Sequence, residues 1–326
     1  MKCINKTICI LLSSILIISL CGCGSKDYSL AYSRSMNSTA YMLTNGVKGN
    51  NVLPGFASAL CIDDSNGYIK GIETENSYAY GLFDLSGQKV LDAKNMYEEL
   101  APASITKIMT AYVALKYGNL DERITMSANC KITESGAQKS VLKEGDSMTL
   151  DQALNVMLIS SANDIALMIA ENVGGTTEHF IEMMNEEAVK LGATHTHFMN
   201  PHGLTQEDHY TTVYDLYLIF NEVLKYERFK EIISLDTYST TYTDSEGTVK
   251  NLSVDSTNLY IRGMHNTPEG MNIYGGKTGT TVAAGSCLIL YSKDSYGNPY
   301  ISVILKAEGR DGLYTDMDHL LEGAMK

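Results

Sequence analysis

Two side chains that could do chemistry together, Ser104 and Lys107, lie three positions apart in the sequence APASITK (101–107). A serine hydroxyl is a weak nucleophile at neutral pH and becomes a strong one when a nearby base takes its proton. Positions i and i+3 of a helix lie on the same face, so a helix here would place the lysine amine near the hydroxyl. The spacing predicts a nucleophile, Ser104, with Lys107 as its general base.

Two further motifs follow along the chain, Ser161-Ala162-Asn163 and then Lys277-Thr278-Gly279. Each motif alone has a plain alternative: Ser-x-x-Lys occurs on solvated helix faces, and Ser-Ala-Asn suits a turn between helices with an N-cap. Ser-x-x-Lys followed by Ser-Asp-Asn and Lys-Thr-Gly is the signature of class A β-lactamases and penicillin-binding proteins. The sequence resembles that superfamily, and most closely the low-molecular-mass penicillin-binding proteins that act as serine-type D-alanyl-D-alanine carboxypeptidases.

Four longer strings carry the same resemblance, which runs from about residue 55 to the C-terminus. They are SAND at 161–164, NPHGL at 200–204, YTTVYDL at 210–216 and KTGTTVAAG at 277–285. The resemblance implies an α/β (α+β) fold of the β-lactamase/transpeptidase-like type: an antiparallel sheet flanked by helices, with an all-helical subdomain alongside. It also implies peptidoglycan stem peptides as substrates and β-lactams as covalent inhibitors.

The resemblance assigns catalytic roles to the motif residues. Ser104 would be acylated, and its backbone N–H together with that of Thr280 would form the oxyanion hole. Lys107 would act as the base, because burial and a neighbouring cation lower the pKa of a lysine. Ser161 would relay a proton to the leaving amine, and Asn163 would donate a hydrogen bond to the substrate's backbone.

The third motif is expected to bind the substrate. Lys277 and Thr278 would meet the terminal carboxylate, and Thr280 would add a hydroxyl contact. Gly279 would let the substrate lie along the strand edge and pair with it through main-chain hydrogen bonds. Relatives use an arginine upstream of Lys-Thr-Gly to hold the carboxylate, and Arg262 is the arginine near that place.

Seven histidines raise the alternative of a metal site, above all His195 and His197. A strand would place these two on one face, but no third ligand follows at a zinc spacing. His202 and His209 lie in or beside the strings quoted above and are interpreted as loop scaffolding. We therefore expect neither a metal nor another cofactor.

The N-terminus predicts export. Lys2 and Lys6 precede an apolar run over 7–20 that is too short for a convincing permanent membrane span. The next residues, Leu20-Cys21-Gly22-Cys23, are similar to a bacterial lipobox, in which the final cysteine is acylated after cleavage just before it. The alternative is ordinary secretory cleavage with Cys23 incidental.

These signals predict three segments and a location. The segments are a lipoprotein signal peptide (1–22), a flexible tether (23–50) and a catalytic domain (51–326) with a helical subdomain at about 145–235 and no C-terminal β-domain. The protein would be extracytoplasmic, anchored to the outer face of the cell membrane by its N-terminal lipid or secreted to the cell wall. A formal net charge of −13 argues against nucleic acid as a partner.

Three cysteines remain beyond the leader and Cys23, namely Cys61, Cys130 and Cys287. Their odd number and wide spacing do not fit a disulfide framework or a zinc cluster. A Cys61–Cys130 bridge is one alternative in an exported protein. We favour three buried thiols.

Hydrophobic periodicity predicts the elements that position the motifs. A helix begins near Pro102, which would put Ser104 in its first turn, and ends at Gly118. Thr149 and Gln152 form a capping box that opens a further helix. The expected strands are 56–62, 78–85, 88–93, 272–282, 285–292 and 299–306, and a closing helix covers 313–325.

The sequence therefore predicts a D-Ala-D-Ala carboxypeptidase with a role in cell-wall peptidoglycan. Within enzymes, the rival is a class A-type β-lactamase, which needs a glutamate to position a second water. The Glu-x-x-Leu-Asn string expected for that glutamate is not evident. A rival from another class is a non-catalytic β-lactam sensor that stays acylated.

Overall fold

The structure, a computed structural model, describes residues 60–63, 69 and 72–326. The expected signal peptide, tether and Cys23 lie outside these residues, as does most of the strand expected at 56–62. No helix in the described part combines the length and the apolar character needed to cross a bilayer.

Nine strands and seven α-helices make up the described part of the chain. The strands are β1 (Ser77–Asp84), β2 (Lys89–Lys94), β3 (Arg123–Thr125), β4 (Ser147–Thr149), β5 (Thr237–Thr243), β6 (Val249–Asp255), β7 (Met271–Thr281), β8 (Gly285–Asp294) and β9 (Pro299–Ala307). The helices are α1 (Lys107–Tyr117), α2 (Leu150–Ser160), α3 (Asn163–Gly174), α4 (Thr177–Lys190), α5 (Val213–Val223), α6 (Glu227–Ile233) and α7 (Gly309–Gly323).

The main sheet has the strand order β2-β1-β9-β8-β7, and every neighbouring pair is antiparallel. Successive side chains of a strand point to opposite faces. In β8, Leu288 and Leu290 pack in one cluster with Leu320 of α7. The alternate residues Cys287 and Ile289 belong to the larger cluster on the other side, which contains α1, α2, α3 and α5. The sheet is thus covered by helices on both faces, as the resemblance implies.

The second layer departs from the expected all-helical subdomain. Helices α2 to α6 do cover 150–233, and the capping box of Thr149 and Gln152 is present. A four-stranded sheet of order β3-β4-β5-β6 accompanies them. The hairpin of β5 and β6 was missed because β5 reads TYSTTYT, with no alternation of apolar and polar residues.

Two helix starts differ from the sequence expectation. Ser104 lies in a short 3-10 helix, Ala103–Thr106, and the α-helix begins only at Lys107. Helix α7 begins at Gly309, four positions before the predicted start, and its first turn includes Arg310. Both differences matter for the site described below.

The three cysteines of the described part are free and buried. Cys61 donates from its Sγ to the carbonyl of Asp84, and Cys287 is fully enclosed between sheet and helices. The expectation of three buried thiols is confirmed, and the Cys61–Cys130 bridge is not formed.

Candidate active site

Ser104 opens onto a polar cavity of about 290 Å³. The 3-10 turn that carries it packs against β7, so the first and third motifs meet on one wall. Ser161 and Asn163, from the break between α2 and α3, form another wall. Residues of all three motifs, which are far apart in the sequence, therefore line a single cavity.

Lys107 is completely buried and has three hydrogen-bond partners. Its Nζ lies 2.9 Å from Ser104 Oγ, 2.6 Å from Asn163 Oδ1 and 2.6 Å from the carbonyl oxygen of His202. Burial lowers its pKa well below the ordinary value, and the nearby charge of Lys277 lowers the pKa further. A neutral amine has two N–H donors and one lone pair. The amide and carbonyl oxygens can only accept, so the lone pair is left for the hydroxyl proton of Ser104.

Lys277 is the second buried amine of the site, with 1% of its surface exposed. Its Nζ donates to Ser161 Oγ over 3.0 Å and to the carbonyl of Thr278 over 2.9 Å. Burial lowers its pKa to about 7, so both protonation states are accessible near neutrality. Lys277 contacts Ser161 and is not among the residues that line the cavity, so its contact with a substrate carboxylate stays a prediction.

Ser161 occupies an unusual backbone position. It is the C-cap of α2, with φ 64° and ψ 26°, in the left-handed region that non-glycine residues rarely adopt. This conformation ends α2 and lets α3 start at Asn163. The reversal brings Ser161 Oγ to Lys277 and Asn163 Oδ1 to Lys107, and it leaves the Nδ2 of Asn163 as a donor toward the cavity.

β7 is the terminal strand of the main sheet, and its Lys-Thr-Gly segment runs beside the nucleophile turn. A Cβ atom on Gly279 would lie 2.9 Å from the backbone nitrogen of Ser104 and 3.1 Å from the Cβ of Ala103. Only glycine allows this approach. Thr278 and Thr280 line the cavity on either side of it.

The arginine that lines the cavity is Arg310, and Arg262, the arginine expected there, is not among the lining residues. Arg262 lies in the turn after β6, 3.5 Å from a carboxylate oxygen of Asp255, and does not line the cavity. Arg310 lines it together with Thr278 and Thr280. In the described part of the chain, no carboxylate forms an ion pair with Arg310.

The sequence did not indicate Arg310, because no motif or periodicity marks it and the predicted closing helix begins after it. Other wall residues were missed for the same reason, since they come from separate loops, strands and helices. They are Gly136, Ala137, Gln138, Leu204, Thr257, Ser286, Cys287, Leu313 and Tyr314. None of the residues that line the cavity is an aspartate or a glutamate.

The four histidines singled out from the sequence fall into two groups. His195 and His197 have separate partners: Nδ1 of His195 lies 3.3 Å from a carboxylate oxygen of Glu99, and Nδ1 of His197 lies 2.7 Å from a backbone carbonyl. His209 is buried and His202 half-buried, and both lie close to the nucleophile turn. His202 supports the site through its backbone carbonyl, which accepts the hydrogen bond from Lys107.

Comparisons with known proteins identify relatives that are D-alanyl-D-alanine carboxypeptidases. Residues 70–309 match the family model described as D-alanyl-D-alanine carboxypeptidase. The chain is 37% identical over 212 residues to the carboxypeptidase DacF of Bacillus subtilis, covering 63% of this chain and 51% of that protein. It is 32% identical over 252 residues to DacC of Escherichia coli, covering 74% of this chain and 60% of that protein.

The chain therefore spans between half and three fifths of the length of these two relatives. Among solved structures, the Streptomyces K15 DD-transpeptidase aligns with a TM-score of 0.71 at 23% identity, over 78% of this chain and 98% of that one. This likeness confirms the transpeptidase-like fold. With the family model matched over most of the described residues, the chain belongs to the D-alanyl-D-alanine carboxypeptidase family.

Proposed function

We propose that the protein is a serine carboxypeptidase that removes the terminal D-alanine from peptidoglycan stem pentapeptides through an acyl-enzyme on Ser104. The observation that carries this proposal is the set of contacts around Lys107. Two oxygens that can only accept occupy its N–H groups, and the third contact, at 2.9 Å, is Ser104 Oγ. The amine is therefore arranged as a proton acceptor for the serine.

In the acylation step, Ser104 Oγ attacks the carbonyl carbon of the penultimate D-alanine while Lys107 Nζ takes the hydroxyl proton. The carbonyl oxygen becomes an oxyanion. The backbone N–H groups of Ser104 and Thr280 would stabilise this charge, since both residues line the cavity. Collapse of the intermediate breaks the peptide bond and leaves the ester on Ser104.

The leaving D-alanine needs a proton on its nitrogen. Ser161 lines the cavity, and its Oγ accepts a hydrogen bond from Lys277. With a pKa of about 7, Lys277 can supply this proton through the Ser161 hydroxyl near neutral pH. Before deacylation, the proton that Lys107 took from Ser104 would pass, through solvent, to the Lys277 amine that gave one up. The neutral Lys107 would then take a proton from the water that attacks the ester and return it to Ser104 Oγ as the ester bond breaks.

The terminal carboxylate of the substrate would lie between Arg310, Thr278 and Thr280. Guanidinium groups bind carboxylates through two parallel hydrogen bonds, and Arg310 has no competing carboxylate in the described residues. The start of α7 adds the positive end of a helix dipole at the same place. This arrangement of donors suits a free C-terminal carboxylate.

The absence of a carboxylate from the cavity walls favours a carboxypeptidase over a class A-type β-lactamase. A penicillin ring opens without leaving, and its bulk blocks the face from which water attacks. Penicilloyl-Ser104 should therefore persist for minutes or longer, whereas the acyl-peptide turns over once D-alanine has departed. The same contrast separates the enzyme from a sensor, which would show no peptide turnover.

We also propose that Cys23 carries the lipid and that the protein acts outside the cytoplasm. Leu20, Gly22 and Cys23 lie at lipobox offsets, and two acyl chains suffice for stable anchoring. The substrate proposed above is found in the cell wall, which supports the same location.

The test is D-alanine release from diacetyl-Lys-D-Ala-D-Ala by the purified protein without its leader. Wild type should release D-alanine, and Ser104→Ala should not. Intact-mass analysis after penicillin, followed by peptide mapping, should find one adduct, on Ser104. Rapid penicillin hydrolysis without D-alanine release would favour the β-lactamase, and an adduct on Ser161 would refute the assignment of the nucleophile.

A further inference from the structure

Ala103, the residue directly before the nucleophile Ser104, has a strained backbone conformation. Ala103 has φ 48°, in the left-handed region, where the Cβ of an L-residue crowds the following carbonyl oxygen. Gly203 is packed against this residue so closely that a Cβ atom would lie 1.9 Å from the carbonyl oxygen of Ala103. A conformation of this kind persists only where neighbouring groups hold it.

A buried chain of hydrogen bonds ends on that carbonyl. Thr106 Oγ1 donates to the carbonyl oxygen of Ala103 over 2.9 Å, so its single proton is used there. The same Oγ1 lies 2.9 Å from Nε2 of His209 and must therefore accept from it. Nδ1 of His209 accepts from the backbone N–H of Met199 over 3.0 Å.

These partners fix the state of His209. One ring nitrogen accepts a hydrogen bond and the other donates one, which is possible only for the neutral ring with its proton on Nε2. The ring is 6% exposed and stands edge-on to Phe198. Burial, and then the nearby charge of His197, lower the pKa of His209 to about 4, which agrees with the neutral form.

The carbonyl held by this chain and the N–H of Ser104 belong to the same planar peptide unit. Fixing the direction of the Ala103 C=O therefore fixes the direction of the Ser104 N–H on the other side of the bond. The Ser104 nitrogen lies beside Gly279 of β7, where the cavity opens. This N–H is the proposed first donor of the oxyanion hole.

We propose that His209 and Thr106 are positioning residues that aim the Ser104 N–H at the oxyanion through the Ala103 carbonyl. Neither side chain lines the cavity, so neither touches the substrate. The inference rests on the proposed function, because it gives the Ser104 N–H a role in catalysis. It extends that function by naming two residues, His209 and Thr106, that do not react themselves but on which the acylation rate depends.

The first test compares Thr106→Val, which keeps the shape and removes the hydroxyl, with Thr106→Ser, which keeps the hydroxyl. Thr106→Val should lower the second-order rate constant of penicillin acylation and the kcat for D-alanine release by about 10- to 100-fold, with KM little changed. Thr106→Ser should retain most of both rates. Equal rates for Thr106→Val and wild type would overturn the proposal.

Thr211→Val is the matched control. Thr211 is also fully buried, and its hydroxyl bonds the hydroxyl of Thr196 at 2.8 Å, outside the hydrogen-bond chain that ends on the Ala103 carbonyl. Its backbone pairs with Leu100, and a substitution of the side chain leaves those main-chain groups in place. Its loss should lower the melting temperature about as much as Thr106→Val does, while acylation stays near wild type. If both variants lose acylation equally, the effect is general destabilisation and the proposal fails.

The second pair acts on the histidine. His209→Gln keeps a donor and an acceptor on one side chain, and His209→Leu has neither. We expect His209→Leu to lose acylation as Thr106→Val does, and His209→Gln to lie between it and wild type. A His209→Leu variant that acylates at the wild-type rate would remove His209 from the proposal.

Amide hydrogen exchange measures how readily the turn that carries Ser104 opens, independently of catalysis. In a peptide covering 100–109, exchange should be faster in Thr106→Val than in wild type or Thr211→Val, because the hydrogen bond that holds the strained turn is lost. Unchanged exchange would overturn the positioning role. Failure of the wild type to be acylated at Ser104 would instead refute the proposed function, so the two failures are distinguishable.

Discussion

Lys107 is the residue whose environment departs most from its ordinary chemistry. Its three hydrogen-bond partners are a hydroxyl, an amide oxygen and a backbone carbonyl. Burial and the charge of Lys277 lower its pKa, and together they outweigh the charge of Asp164, which raises it. The site thereby stabilises the neutral amine that catalysis requires.

Lys107→Ala should keep the fold and lose acylation by about 10²–10⁴-fold, because a general base contributes that much. The measurement is the penicillin acylation rate, with the circular dichroism spectrum as the check on folding. Acylation near the wild-type rate would place the base elsewhere.

The second buried amine predicts a pH effect on stability. Lys277 has a folded-state pKa of about 7 and an unfolded value of about 10.5, so between these limits the unfolded chain binds more protons. Unfolding free energy then rises with pH. Wild type should therefore gain stability relative to Lys277→Met as the pH is raised from 7 to 9, and should gain none below pH 6. Denaturant titrations of the two proteins at each pH measure this difference, and a constant difference would contradict the low pKa.

Arg310 and Arg262 form a natural pair of variants. Arg310→Leu should lower kcat/KM for the tripeptide by about 10- to 100-fold, since a hydrogen bond to a charged group contributes about 1.5–3 kcal/mol. Arg262→Leu should stay within about twofold, because its partner is Asp255 on the surface. On a peptide whose terminal carboxylate is amidated, Arg310→Leu should match wild type. Equal losses on both peptides would show that Arg310 does not bind the carboxylate.

At the scale of elements, the site depends on how closely β7 approaches the nucleophile turn. The two meet at Gly279, where the nearest atoms are the backbone nitrogens of Ser104 and Ile105 and the Cβ of Ala103, none of which can swing aside as the end of a flexible side chain can. The separation of the first and third motifs is therefore set by the main chain.

Gly279→Ala should push β7 and the turn apart and slow acylation by about 10- to 100-fold, because small misplacements of reacting groups are costly. Asn272→Ala, at the exposed far end of the same strand, should be neutral in both rate and melting temperature. An unaffected rate in Gly279→Ala would mean that the site tolerates a wider gap than the structure implies.

At the scale of the whole molecule, the proposed anchor would set where the enzyme acts. Cys23→Ser should release the protein from membranes of the producing cell while its signal is still cleaved, because the proposed acyl chains are attached to that cysteine. Fractionation with an antibody, and metabolic labelling with a fatty acid, provide the measurement. Retention of unlabelled Cys23→Ser on the membrane would falsify lipidation as the anchor.

The parts of the protein that depend on local spacing could be predicted from the sequence alone. The i, i+3 relation of Ser104 and Lys107 is a property of helical geometry, and the hydrogen bond between them forms as that relation predicts. The capping box before α2 and the strands and turns of the main sheet are local in the same sense. Motif order was specific enough to indicate the family and the fold.

Which distant groups complete the site depends on tertiary packing, which no local pattern in the sequence reveals. Asn163 and His202 supply two of the hydrogen-bond partners of Lys107. Lys277 donates a hydrogen bond to Ser161 Oγ, and Arg310 lines the cavity. Such contacts, and the desolvation that lowers the pKa values of the two lysines, arise when separate elements pack together. The polar hairpin of β5 and β6 was hidden for a related reason: side-chain pattern reveals a strand only where one face is buried.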